Sequence, residues 1–271
     1  MALKALLSLA CILALVSPLA SLRTRAGPPL PPTAPLLGVE DVAGVGYPSL
    51  SMAKGMGLEP TGNPRLTVTD HPIDAGIGGV SIFDTPGIAF SVALAGNLAL
   101  VADFHKGLRV IQLSSLDRPR ELSFYDTPDL ARGVAAYGNL ALVADGFAGL
   151  RLIDISDPRS PRDVGLFDVP GFVFGVVTSG NLALVAGGVA GLRVIDISAQ
   201  SRPREVGFLD TPGAALGVAV SGSLALVADA DEGLRVIDIS DPTKPREVGF
   251  LDTPGPAIGV SAYGSLVLLA D

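Results

Sequence analysis

A motif that returns every 42 residues constrains this chain more than any other feature of its sequence. The segment GLRV or GLRL begins at four positions with this spacing: Gly107, Gly149, Gly191 and Gly233. A second series keeps the same period, an aspartate followed by Thr-Pro or Val-Pro: Asp84, Asp126, Asp168, Asp210 and Asp252. A fixed period of roughly 20–50 residues is typical of solenoids and propellers. The sequence therefore predicts an array of one repeated unit.

One unit, residues 214–252, contains four short runs that are separated by turns: AALGVAVS, LALVA, LRVIDIS and REVGFLD. Each run is bounded by glycine or proline and is too short for a typical helix, which favours strands. Four strands per repeat are typical of a propeller blade. Because LALVA lacks polar alternation, we expect neighbouring blades to cover both faces of each sheet, which also explains a mean hydropathy of +0.50.

The number of blades follows from the two ends of the array. Four full units run from about Ile88 to Asp252, and a further unit begins at Pro256. A shift of one period places Leu66–Asp70 under the strand that begins at Leu108. We therefore predict an all-β propeller of four-stranded blades, with five blades closed by pairing of the N-terminal and C-terminal half-blades. The alternative is a fragment of a larger propeller.

The first residues have the pattern of a secretory signal peptide. A short positive start precedes the apolar run 5–16, and Pro18 with small residues follows it. We predict a cleaved signal peptide over residues 1–25, a Pro/Gly-rich linker of low order over 26–64 and the propeller over 66–271. An uncleaved anchor and a lipoprotein with Cys11 at its amino terminus are the alternatives. The expected location is secreted, periplasmic or at the cell surface, with no membrane span after cleavage.

Composition removes several classes of function. The 271 residues include 19 Lys and Arg against 27 Asp and Glu, a net charge of −8, so no basic face for nucleic acid is expected. A single cysteine excludes an intramolecular disulfide framework and a zinc cluster built on cysteines. No dinucleotide, phosphate-loop, zinc-protease or serine-hydrolase motif is present. We therefore predict no catalytic residue, no metal and no cofactor.

The repeated motifs carry a family resemblance. LALVAD followed by GLRVIDIS, over residues 66–271, resembles the LVIVD repeat family of bacterial and archaeal cell-surface proteins. The resemblance implies a propeller at the cell surface and says little about its role.

Strand order assigns the loops to faces. If the first strand of each blade is innermost, the DTPG loops lie on the same face as the loops between second and third strands. We call this the DTPG face and expect its aspartates to accept backbone N–H groups within their own turns. Its candidate ligand-binding residues are Asp103, His105, Asp145, Asp229, Asp231 and Glu232.

Polar residues inside the strands are expected to be structural. The arginine of each GLRV motif is predicted to pair with an aspartate of its own or the adjacent blade, and Arg193 to lack this partner because Gly187 replaces the aspartate. The mid-strand carboxylates of Asp154, Asp196 and Asp238 are expected to be hydrogen-bonded, since an unpaired one is costly.

A binding scaffold is the expected function, with an unknown protein or carbohydrate at the cell surface as its partner. The nearly identical blades favour this hypothesis, because a catalytic site needs its blades to differ. A hydrolase or lyase-type enzyme with its site at the acidic channel mouth is the alternative.

Overall fold

The computed structural model describes residues 83–113, 119–264 and 266–271, and all regular elements within them are β-strands. The predicted signal peptide, linker and N-terminal half-blade up to residue 82 lie outside the described residues.

The described strands form four four-stranded antiparallel sheets, here called blades 1 to 4, and one terminal hairpin. Blade 1 contains β1 (Ser91–Ala95), β2 (Leu98–Ala102), β3 (Leu108–Gln112) and β4 (Arg120–Tyr125). Blade 2 contains β5 (Ala131–Tyr137), β6 (Leu140–Asp145), β7 (Leu150–Asp154) and β8 (Arg162–Phe167). Blade 3 contains β9 (Gly175–Ser179), β10 (Leu182–Ala186), β11 (Leu192–Asp196) and β12 (Arg204–Leu209). Blade 4 contains β13 (Gly217–Ser221), β14 (Leu224–Ala228), β15 (Leu234–Asp238) and β16 (Arg246–Leu251). The terminal hairpin contains β17 (Gly259–Tyr263) and β18 (Leu266–Ala270).

Strand order within each blade follows chain order, as the repeat predicts. The tight turn between the first and second strands begins with a glycine in the left-handed region, for example Gly222 at a φ of 58°. Such a φ costs glycine little. Gly107, at the start of a GLRV motif, has a φ of 64°, and a Cβ there would collide with the carbonyl oxygen of Tyr125. These glycines are therefore required by the backbone.

The blades pack face to face, which explains the continuous apolar strands. The first strands of consecutive blades lie next to one another. Leu142 and Leu152 of blade 2 share one core cluster with Val185 and Ile195 of blade 3. All six residues of β6, LALVAD, are buried. The prediction that each sheet is covered on both faces is confirmed for the middle of the array.

The two ends of the array differ from its middle. Val92 on β1 is 59% exposed, whereas Val134 at the same repeat position in blade 2 is 5% exposed. On β18, Leu266 and Leu268 are also exposed. Closure through residues 66–82 stays a prediction, because those residues lie outside the described part of the chain.

Across the described residues there is no helix of the length and apolarity that a membrane crossing requires.

Candidate binding site on the DTPG face

The loops lie on faces as the strand order predicts. In each antiparallel blade, the loop after the second strand is at the same end as the start of the first strand. Single bridges join these loops to the next blade, as between Phe104 and Ala131 or between Gly188 and Ala215. The DTPG face is therefore a continuous surface over blades 1 to 4.

A buried aspartate at the end of the second strand holds each regular DTPG loop. The carboxylate of Asp229 accepts hydrogen bonds from the Thr211 hydroxyl at 2.5 Å and the Gly213 N–H at 2.9 Å. Asp103 accepts the equivalent pair from Thr85 and Gly87 at 2.7 and 2.9 Å. Both aspartates are fully buried. The expectation that the DTPG aspartates cap their own loops is wrong: the carboxylate comes from the second strand, and the DTPG aspartates are exposed.

The strand-three arginines complete these contacts. Arg109 lies 3.5 Å from Asp103, Arg151 3.8 Å from Asp145 and Arg235 3.7 Å from Asp229. Each also pairs with a carboxylate on the fourth strand: Glu121, Asp163 and Glu247, respectively. The predicted pairing of these arginines is confirmed. We call the Thr, Asp and Arg of one blade its clamp.

Blade 3 lacks two of the three clamp residues. Gly187 replaces the aspartate, and Val169, which is buried, replaces the threonine that would donate to it. The prediction that Arg193 lacks a partner is wrong: it lies 3.5 Å from Glu205 and 3.1 Å from Asp210. The exposed DTPG aspartate thus supplies the missing negative charge.

Blade 2 carries a modified clamp. Burial raises the pKa of the Asp145 carboxyl, and its Oδ1 has no hydrogen-bond partner within the described residues. Asp129 replaces the loop glycine, and its carboxylate accepts the Phe147 N–H at 2.6 Å.

The mid-strand aspartates are hydrogen-bonded, as expected. Asp196 accepts the Ser198 N–H at 3.0 Å and contacts Arg204 at 3.1 Å, and Asp238 has the same partners from Ser240 and Arg246. Hydrogen bonds from the serine lower the pKa of both Asp196 and Asp238 to about 2, with the arginine as a smaller cause.

The six predicted site residues divide into two groups. Asp103, Asp145 and Asp229 are fully buried, and each contacts the clamp arginine of its own blade. His105, Asp231 and Glu232 are exposed on the DTPG face. Glu232 pairs with Arg235 at 2.8 Å, and the ring of His105 lies 4.1 Å from that of Phe104. Their role in ligand binding stays a prediction. Among the described residues, no three acidic, histidine or cysteine side chains form a set that could hold a metal ion.

The structure adds a feature that sequence reasoning missed, an arginine surrounded by four phenylalanines. The Cζ atom of Arg132 lies 4.6 Å from the ring centroid of Phe90, and it lies 5.4, 5.4 and 5.3 Å from three further rings. These three belong to Phe104, Phe172 and Phe174. We call these five residues the Arg132 cluster. It brings together side chains from blade 1, blade 2 and the segment that leads into blade 3.

Local backbone geometry aims two of these side chains. Arg132 lies at a register shift between Ala131 and Gly133, a bulge in β5, and bulges commonly redirect a side chain. Phe104 has a φ of 52°, in the left-handed region, where blades 2 and 3 have Gly146 and Gly188. A left-handed conformation costs a non-glycine residue about 1–2 kcal/mol. The chain therefore keeps a ring at a position where glycine is the unstrained residue.

The repeat itself marks Arg132 as an exception. Aligned by the 42-residue period, Arg132 shares its position with Phe90, Phe174, Leu216 and Ile258, so it is the one charged residue in an apolar series. A position-by-position comparison of the blades would have identified it.

Comparison with known proteins identifies the repeat. The LVIVD repeat model matches residues 86–127, 130–169, 170–211 and 212–253. No curated protein matches this chain.

Solved structures support the fold alone. A functionally unknown protein from Desulfotomaculum acetoxidans DSM 771 is 15% identical with a TM-score of 0.58, and the match covers 68% of this chain and 63% of that one. This chain thus spans less than two thirds of that protein. A chain of the nidogen/laminin complex is 14% identical with a TM-score of 0.53, and the match covers 68% of this chain and 72% of that one.

Proposed function

Because the chain belongs to the LVIVD repeat family, we propose that it is a propeller-type binding scaffold that holds a protein or carbohydrate ligand on its DTPG face. One observation carries this proposal: the blades are alike in their strands and differ on this face. At the loop position of His105, the next blades place Phe147, Val189 and Asp231. Phe147 and Val189 are 73% and 81% exposed.

Exposed apolar side chains in a cluster are typical of interaction surfaces. The ring of Phe147 lies 5.0 Å from that of Phe172, and Phe172 in turn lies 4.6 Å from Phe174. The exposed ring is therefore continuous with the Arg132 cluster, and the two form one aromatic region over blades 1 to 3.

The buried clamps favour binding over the alternative of a hydrolase at an acidic channel mouth. A general acid or base needs to reach the proton that it transfers. The carboxylates of Asp103 and Asp229 are fully buried and already accept two hydrogen bonds each from their DTPG loops. These two carboxylates therefore hold loops in place.

We also propose that the mature protein is exported and is secreted, periplasmic or held at the cell surface. The support is the N-terminal sequence pattern, with its apolar run and Pro18. Sequencing the amino terminus of the mature protein is expected to begin between about residues 21 and 27. A cytoplasmic chain that retains Met1 would contradict export.

Binding to cell envelopes of the producing organism tests the scaffold directly. We expect the full chain to co-sediment with envelopes in a saturable way, and Phe147→Ser/Val189→Ser to lose at least tenfold in affinity. The matched control is Arg159→Ser/Arg202→Ser, which changes two exposed residues in loops at the opposite face. Equal binding by both variants, or no saturable binding by the native chain, would contradict the proposal.

A further inference from the structure

We propose that the Arg132 cluster is a binding site for a monocarboxylate with an apolar, ring-shaped body, such as an aryl carboxylate. This inference rests on the proposed function, because it names the chemistry that one part of the DTPG face recognises.

The guanidinium of Arg132 has no anionic partner among the described residues. Within that part of the chain it makes no hydrogen bond or ion pair, and it lies over four aromatic rings. The clamp arginines Arg109 and Arg235 each contact two carboxylates or more. Arg132 therefore differs from the clamp arginines because it lacks a carboxylate partner within the described residues, and a ligand would supply one.

The same guanidinium is partly removed from water. Its Nε is buried without a partner, and burial lowers the pKa of the side chain. Among the described residues, Nε is the only nitrogen of Arg132 that is buried without a partner, and the residue as a whole is half-buried. A desolvated cation without an anion is unfavourable, and cation–π contacts offset this only in part. Contact with rings leaves the N–H donors unused, and a carboxylate matches two of them at once.

The phenylalanine rings around Arg132 favour a ligand whose body is apolar. The side chains of Phe90, Phe104, Phe172 and Phe174 are aromatic rings that carry no hydrogen-bonding group. A ligand rich in hydroxyl groups would lose water there without replacement hydrogen bonds, which is costly. A flat apolar body would stack on these rings and lose nothing of that kind. Aryl carboxylates thus fit the cluster better than sugar acids.

The negative charge of the DTPG face favours a ligand that carries a single negative charge. Asp126, Asp168 and Asp210 are exposed on the same face, and the protein has a net charge of −8. Repulsion from these carboxylates grows with ligand charge, so a monoanion is favoured over a phosphate dianion.

The repeat also offers variants that test the site without foreign residues. Leu216 and Gly146 are the blade-4 and blade-2 counterparts of Arg132 and Phe104. Arg132→Leu removes the charge with a residue that the fold already accepts at this position, and Phe104→Gly removes a ring where glycine suits the backbone. Arg120→Leu, an exposed strand-four change with the same loss of charge, is the matched control.

The experiment is an NMR titration of the full chain with phenylacetate, its neutral amide phenylacetamide, and glucuronate. We expect saturable binding of phenylacetate in the millimolar range or tighter, at least tenfold weaker binding of the amide and of glucuronate, and native affinity in Arg120→Leu. Arg132→Leu and Phe104→Gly should each lose at least tenfold in phenylacetate affinity while keeping dispersed native spectra.

Three results would overturn the inference: no saturation with phenylacetate, equal binding of acid and amide, or native affinity in Arg132→Leu. Tighter binding of glucuronate would replace the apolar ligand by a sugar acid and contradict the proposed class. If phenylacetate fails while envelope binding still depends on Phe147 and Val189, only the ligand class falls. If phenylacetate binds while both envelope variants bind alike, the proposed scaffold function falls and this site stands.

Discussion

The framework of the blades and the side chains on their DTPG face follow different rules. In the framework, the register repeats from blade to blade: Leu100 faces Val110 in blade 1 as Leu226 faces Val236 in blade 4. On the DTPG face, the position of Arg132 holds phenylalanine in blades 1 and 3 and leucine in blade 4. The constant region maintains the fold, and the variable region is the one to which we assign the proposed binding role.

Because the strand register repeats from blade to blade, it predicts where a disulfide could link the two ends of a closed ring. Extended by the 42-residue period, the register of β2 and β3 places Val68 opposite Leu268. Oxidised Val68→Cys/Leu268→Cys should form a disulfide, and closure of so long a loop stabilises by up to about 5 kcal/mol in the chain-entropy view. The measurement is non-reducing electrophoresis followed by urea unfolding.

A one-residue slip supplies the control for that cross-link. Val68→Cys/Val267→Cys places the second cysteine on the other face of β18, since side chains alternate along a strand. Equal cross-linking in both pairs, or none in either, would contradict the closed five-bladed ring.

Breaking one clamp should have the next largest effect. Asp229→Ala leaves the Thr211 hydroxyl, the Gly213 N–H and the Arg235 guanidinium without their shared carboxylate. Loss of one partner of a buried pair costs about 3–5 kcal/mol. We expect urea unfolding to show a loss of this size, whereas Asp252→Ala, on an exposed carboxylate, should change little. A similar loss in both variants would show that the clamp has no special role.

The missing clamp of blade 3 offers a double-mutant cycle. Gly187→Asp alone places a carboxylate against Val169, since a Cβ there already lies 3.3 Å from a Val169 methyl. Val169→Thr alone buries a hydroxyl without its acceptor. Each should cost about 1–3 kcal/mol, and the double variant should recover about 1–3 kcal/mol as coupling energy. Strict additivity would mean that threonine and aspartate do not act together.

Much of the framework is predictable from the sequence, because its restraints are periodic. Glycine spacing, LALVA and GLRV predict the strands, their order and the loops on each face. The clamp was only half predicted: Arg109 and Asp103 repeat visibly, whereas the donation from Thr85 to Asp103 joins two loops 18 residues apart. Sequence spacing gives no direction for a side chain, so spacing alone assigns the loop-capping role to the wrong aspartates.

The Arg132 cluster was not predicted because its members come from different blades and share no local motif. Phe90 and Phe174 belong to apolar segments in which phenylalanine reads as core. Arg132 reaches these rings from the bulge in β5, and Phe104 joins them from a left-handed backbone. Both are backbone details that composition and period do not specify.

The clamp of blade 2 predicts a smaller effect, a dependence of stability on pH. Because burial raises the pKa of Asp145 in the folded state, its contribution to stability is fully present below its unfolded pKa, near 3.9, and is lost as pH rises through the folded pKa. Asp145→Asn is neutral at every pH, so its stability relative to the native chain should improve as the pH rises from 3 to 7. Urea unfolding at both pH values measures this, and a relative stability that falls with pH would contradict it.

The free energy of unfolding of Arg132→Leu/Phe104→Gly, measured in urea at neutral pH, tests the division between framework and recognition surface most directly. Both changes introduce residues that other blades hold at the same positions, and they remove an unpaired cation and a strained backbone. We predict a value within about 1 kcal/mol of the native chain, since the lost ring contacts are offset by relief of the left-handed residue. A loss of about 3 kcal/mol or more, the size expected for a broken clamp, would place the Arg132 cluster in the framework and contradict the account.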